Sequence, residues 1–262
     1  MKNTPFIAVT SQPVPYHADT TAIFNTLCQQ NSNSLLLDSA EIGSKNSLQS
    51  LILINAAVKI TCLGNQVTFR ALNANGKQVL KEIHPVLSQL GTVSAVNFDN
   101  EFSVQFAPLY NQLDEDSKLQ AATIFDGLRV ISNHYQHSST PVFLGGLFAY
   151  DLVANFIPMQ GVELKDDGIH CPDYSFYLAE NLITIDHQSQ QATLKSFCFS
   201  QEEQVEVAKT ALSIAQKLKN IDGVLSIKAA SDEVSTNFED PEFTGIVKAL
   251  KHHINIGDVF QI

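Results

Sequence analysis

Basic residues are scarce in this chain. Its 262 residues carry 16 Lys and Arg against 27 Asp and Glu, a formal net charge of -11. Binding to phosphate backbones needs clustered cations, and here they are scattered, so nucleic-acid partners are not expected. Long apolar runs are missing too. No stretch reaches the roughly 18 apolar residues that cross a bilayer, and no charged N-terminal segment leads into an apolar core in the manner of a secretion signal. The expectation is a protein without a membrane partner, located in the cytoplasm. The 4 cysteines, Cys28, Cys62, Cys171 and Cys198, contain no Cys-x-x-Cys pair. They read as reduced, mostly buried thiols, not a disulfide frame or a zinc site.

Motifs that carry chemistry are equally sparse. Gly145-Gly146 lacks the Gly-x-Gly-x-x-Gly or Gly-Lys-Ser/Thr context of a phosphate cradle, so a bulge or close backbone approach is expected there. His252 and His253 are adjacent on a predicted helix, and neighbouring helical positions point about 100° apart, which argues against metal ligation by the pair. Asp151 and Asp173 sit at element junctions with no base, nucleophile or second carboxylate beside them, and read as turn caps. No Ser-His-Asp arrangement can be picked out by sequence. No catalytic residue and no metal ligand is predicted.

What is present is enough apolar sequence, 44% of residues, for a sizeable core. Ile23, Phe24, Leu27 and Cys28 form a helical stripe within 18–30, leading into a short buried strand at Leu35-Leu36-Leu37. β-Branched content rises from Leu48 to Leu72, and Gly64-Asn65 between two strand-like runs predicts a hairpin. A turn at Asn73-Ala74-Asn75-Gly76 should precede a weak helix over 78–90 interrupted by Pro85. Phe102 to Phe106 alternates like a half-buried strand. Asp114-Glu115-Asp116 should open one helix whose face is Leu119, Ala122, Phe125, Leu128 and Ile131. A strand at Val142-Phe143-Leu144 runs into the paired glycines.

From Tyr174 to Ser200 three strand-like runs, broken at Glu180-Asn181 and at His187 to Gln190, predict an antiparallel meander. A helix over 201–218 follows. Residues 220–237 lack periodicity and read as a linker. Asp240-Pro241 then supplies an N-cap and first-turn proline for a helix carrying Phe243, Ile246, Val247, Leu250 and Ile254, closed by Gly257. Val259 to Ile262 should begin a strand left unfinished, which predicts a truncated chain.

The end of the Leu35 strand is the candidate ligand edge. Asp38 can only accept hydrogen bonds and Ser39 can donate and accept, a pair suited to the ammonium and carboxylate of an amino acid. The same spacing also fits a strand closed by an Asx or Ser turn.

Several stretches carry a resemblance in order: Leu36-Leu37-Asp38-Ser39-Ala40 with Glu41 to Lys45, Ser50 to Ile54 with Val58 to Thr61, Gly145 to Ala154, Cys171 to Glu180, and Gly257-Asp258-Val259-Phe260-Gln261. Together they resemble the first half of component I of anthranilate synthase. The resemblance implies an α+β, β-rich fold of antiparallel, orthogonal sheets with peripheral helices, an incomplete chorismate-binding-type fold. It implies a regulatory, tryptophan-binding domain over 1–219, a linker over 220–237, and the first elements of a chorismate-binding catalytic domain over 238–262. The complete enzyme converts chorismate and ammonia to anthranilate and pyruvate, with Mg2+ and a glutamine amidotransferase partner, under tryptophan feedback.

Residue by residue, Asp38 and Ser39 match the inhibitor motif, and Gln49 stands where many members have a lysine. Asp38 is one methylene shorter than the usual glutamate, withdrawing the carboxylate by about 1 Å, and Gln49 removes a positive charge. The magnesium and chorismate residues have no counterparts, so the chain is expected to be catalytically incomplete. The alternatives are a stand-alone tryptophan-binding module and a fragment of an aminodeoxychorismate synthase-like enzyme of folate synthesis.

Overall fold

The structure, a computed structural model, describes residues 5–29, 31–38, 48–97, 100–108, 114–157, 171–221 and 236–260. The chain divides into two compact units, Met1–Gly223 and Val224–Ile262.

The first unit is built on two long antiparallel strands, β3 (Gln49–Leu63) and β8 (Tyr174–Asp186). They pair from Gln49 opposite Asp186 to Cys62 opposite Tyr174, with register shifts between Leu53 and Val58. Each has two partners on its outer edge. Along β3, β2 (Leu35–Asp38) takes the first half and β4 (Gln66–Ala71) the second. Along β8, β7 (Leu144–Phe148) takes the first half and β9 (Gln191–Cys198) the second. β1 (Ala8–Val14) extends the sheet beyond β9, while β6 (Glu101–Gln105) and then β5 (Thr92–Asn97) extend it beyond β4. One irregular two-strand spine thus serves two sheet halves, β2-β3-β8-β9-β1 and β7-β8-β3-β4-β6-β5, because bulged strands can leave one sheet and enter another.

Period-two alternation splits the core. Ile52 and Ile183 face one way, into a cluster completed by Ile23, Cys28, Ala211, Ile214 and Leu218 from α1 (Thr20–Cys28) and α5 (Gln204–Leu218). Leu53 and Leu182 face the other way, into the larger cluster with Val79, Leu80, Ile83 and Leu87 of α2 (Ala74–Leu87) and Val130 and Ile131 of α4 (Asp126–His134). The expected α+β fold of antiparallel strands with peripheral helices is what forms.

Five expectations change. Asn73 to Gly76 is not a free turn: Asn73 caps α2, accepting from the Gly76 backbone N–H at 2.8 Å, and the helix runs two residues past Pro85. A proline in the last turn costs little, since the helix is already ending there. The single helix over 114–131 is two, α3 (Glu115–Gln120) and α4, because the chain turns between them, with Thr123 and Asp126 holding the turn just ahead of α4, whose N-cap is Phe125. Thr123 Oγ1 accepts from the Phe125 N–H at 3.3 Å while Asp126 Oδ2 accepts from the Thr123 N–H at 2.6 Å, a side-chain-stabilised turn. Leu119 is accordingly 86% exposed.

The break at Glu180-Asn181 is also absent. β8 passes through both, which are buried, because Asn73 and Asn75 donate to Glu180 and Ser196 donates to Asn181. The turn at His187 to Gln190 forms as predicted. In the second unit, α6 (Asp240–Asn255) has Pro241 in its first turn, its N-cap at Glu239 instead of Asp240, and Gly257 at φ +85° past its end. Val259 and Phe260 are not a strand, since no strand of that unit among the described residues offers them backbone partners. Gln261, Ile262 and residues 222–235 of the expected linker lie outside the described residues.

Candidate functional site

The Leu-Leu-Leu-Asp run forms β2 because its backbone pairs with the opening residues of β3, Asp38 standing opposite Ser50. That register places the Asp38 carboxylate at an exposed strand end against two hydroxyls. Ser50 Oγ donates to Oδ1, and Thr20 Oγ1, from the first turn of α1, donates to Oδ2 at 3.1 Å. Each carboxylate oxygen keeps one lone pair facing outward, so Asp38 can still accept from a cationic ligand.

Behind it lies a residue that sequence reasoning missed. His187 opens the β8–β9 turn, and its Nε2 lies 2.7 Å from Ser50 Oγ, while Tyr16 Oη lies 3.2 Å from its Nδ1. The His187 backbone N–H donates to Leu48 O at 2.9 Å, holding the turn against the start of β3. Aspartate, serine and histidine therefore do meet, but the serine stands in the middle and is fully buried, so it is not a nucleophile. Residues 38, 50 and 187 carry no common local pattern. The one usable signal was the register of two apolar runs folding back on each other.

Ser39 lies outside the described residues. Gln49 is exposed and, as the strand neighbour of Ser50, points to the opposite face of the sheet from Asp38. The structure does not bring Gln49 and Asp38 together.

Other polar groups have structural partners. Glu180 is buried at 6% exposure, and desolvation raises its carboxyl above the usual range, partly offset by the Asn75 and Asn73 amides at 2.8 and 2.9 Å. Glu82 accepts from Tyr135 Oη at 3.0 Å and pairs with His134 Nε2 at 2.9 Å; burial, then the Glu82 charge, push the Tyr135 phenol up. Asp173 caps the β3–β4 turn, and Asp151 is exposed in a 3-10 turn over Tyr150–Asn155. Gly145 and Gly146 mark close packing of β7 on its neighbours: a Cβ on Gly146 would lie 2.1 Å from Ser175 O. His252 and His253 are exposed, His253 Nδ1 lying 2.8 Å from Asp258. Among the described residues no group of three or more His, Cys, Asp or Glu could hold a metal ion. No described helix is long and apolar enough to cross a membrane.

Comparison with known proteins gives these observations a frame. The chain is 86% identical over 257 residues to anthranilate synthase component 1 of Haemophilus influenzae, 40% over 272 to that of Vibrio cholerae and 34% over 253 to that of Escherichia coli. These alignments cover 98%, 100% and 94% of this chain but 50%, 50% and 48% of the relatives. The chain spans about half the length of the curated relatives it matches. A sequence model described as chorismate binding enzyme matches residues 79–262, from within α2 across both units. By that match the chain belongs to the family of chorismate binding enzymes.

Proposed function

We propose that this chain carries the tryptophan-sensing part of an anthranilate synthase component I, and that the inhibitor site is built on Asp38 and Ser39; Gln49, the third residue the resemblance names, faces the other side of the sheet from Asp38. The observation that carries the proposal is the 86% identity over 257 residues to a protein named anthranilate synthase component 1. Asp38 supports it chemically, as an exposed carboxylate fixed on its inner side by two hydroxyl donors and open on its outer side to an ammonium group. Ser39, next in sequence, would serve the ligand's polar groups, and Gln49 enters by resemblance alone.

In this reading residues 1–219 are the regulatory domain, 220–237 the linker and 238–262 the first elements of the catalytic domain. The whole enzyme is a cytoplasmic lyase of tryptophan biosynthesis. It takes chorismate, receives ammonia from a glutamine amidotransferase subunit, uses Mg2+ and is inhibited allosterically by tryptophan. The described residues of this chain do not fit the metal, since no set of three candidate ligands converges.

The chain contains no tryptophan of its own, so the fluorescence anisotropy of added L-tryptophan reports binding without background. Saturable binding is expected. Ser39→Ala should weaken it roughly ten- to a hundredfold, the loss of a hydrogen bond to a charged group. Given chorismate, Mg2+ and ammonium, the 262-residue chain should form no anthranilate above the uncatalysed rate. Absent tryptophan binding, or measurable turnover, would overturn the reading.

A further inference from the structure

The relay behind Asp38 has a direction that proton counting fixes. Ser50 has one hydroxyl proton and donates it to Asp38 Oδ1. Its oxygen, 2.7 Å from His187 Nε2, must then accept, so Nε2 carries a proton. In the neutral ring Nδ1 is bare and accepts from Tyr16 Oη at 3.2 Å. The ring cannot easily turn away, because both nitrogens are engaged, Tyr16 packs edge-on at 5.8 Å, and the backbone is tied to Leu48.

Asp38 gains from such an anchor: its side chain is exposed, and backbone pairing with Ser50 places its Cα but leaves the carboxylate free to rotate.

We propose that His187 is a positioning residue for Asp38: by donating its Nε2 proton to Ser50 it turns the Ser50 hydroxyl onto Asp38 and holds that carboxylate where a ligand's ammonium meets it. The ligand rests on the tryptophan reading above; the relay rests on geometry alone. His187 lies 149 positions from Asp38 in a different turn and touches no ligand in this proposal, so its effect is transmitted through Ser50. Preorganising a charged acceptor in this way raises affinity by removing the cost of orienting it on binding.

Three measurements on the 262-residue chain test it: the His187 tautomer, amide exchange and tryptophan binding. Long-range 1H–15N NMR should find neutral His187 protonated on Nε2; protonation on Nδ1 would overturn the proposal without any variant being made. His187→Phe should speed amide exchange in the β2–β3 ladder and weaken tryptophan binding roughly five- to thirtyfold. His187→Gln, which retains an amide donor near the Nε2 position, should return binding to within about threefold of the parent. Ser50→Ala, which keeps His187 but breaks the relay, should reproduce the weakening and provides a second route if His187→Phe does not fold. Parent-like binding by His187→Phe, or equal weakness of the Phe and Gln variants, would overturn the proposal. If the parent chain binds no tryptophan while the Nε2 tautomer and the exchange pattern are found as stated, the inhibitor reading fails and the positioning of Asp38 stands.

Discussion

Asp173 reaches across the fold to Gly64, accepting the Gly64 backbone N–H at 2.6 Å with the same oxygen that accepts from Asn155 Nδ2 at 2.8 Å. Gly64 holds φ +57° at the first position of the two-residue β3–β4 turn, a place where glycine is favoured. The Asp173 N–H returns to Cys62 O at 2.8 Å, so the hairpin tip is clasped from both sides.

Removing that clasp should be felt as stability. Asp173→Ala strands the Gly64 N–H and leaves Asn155 Nδ2 only its longer 3.3 Å bond to Gly64 O, and should cost about 1.5–3 kcal/mol in urea unfolding. A change below about 0.5 kcal/mol would show that water replaces the carboxylate.

Two glycines should respond to alanine with opposite signs. At Gly146 the new Cβ would meet Ser175 O at 2.1 Å and Phe176 Cα at 2.6 Å, both backbone, so β7 must leave β8. A loss of about 3 kcal/mol or more is expected. Gly245, within α6, has open space around it. There alanine should favour the helix by about 0.5–1 kcal/mol, read as increased helicity by circular dichroism.

Glu180 should tilt the stability profile with pH. Its folded-state carboxyl lies above the ordinary value of 4.5, chiefly through desolvation. Between the unfolded and folded values the native state holds more protons than the unfolded state, so stability falls as pH rises through that window. Glu180→Gln removes the titration. Relative to the parent, the variant should gain stability as pH rises from about 4 towards 7, and its own profile should be flatter. A parent–variant difference independent of pH would contradict the assignment.

The thiols should separate by burial. Desolvation, then the Asp173 charge, push Cys62 up to about 12, and burial raises Cys28 and Cys198 as well, while Cys171 is exposed. At pH 8 an aromatic disulfide reagent should label one thiol of the native chain quickly and all 4 after denaturation. Fast labelling of Cys62 would mean that the β3–β4 tip opens readily.

Much of the fold was legible because it is written in local periods. α1, the β3–β4 hairpin, the helix after Ser200 and the proline-led α6 follow from apolar spacing and turn chemistry. The errors came where a local signal has two meanings. Asn73 to Gly76 reads as a turn and is a helix cap; Thr123 to Asp126 interrupts an unbroken apolar stripe because side-chain-to-backbone bonds hold a turn there; Glu180-Asn181 looks like a strand end until partners from α2 and β9 bury it.

The sequence by itself determined the two-period alternation that builds an antiparallel sheet, and the carboxylate of Asp38 at the end of the Leu-Leu-Leu strand. Tertiary structure alone decided what stands behind that carboxylate. A hydrogen bond depends on atoms a few ångströms apart, and residues 38, 50 and 187 come within that range only after β2 folds onto β3 and β3 pairs with β8 to set the β8–β9 turn beside Leu48. Register also sent Gln49 to the opposite face from Asp38, because one step along a strand reverses the side chain's direction.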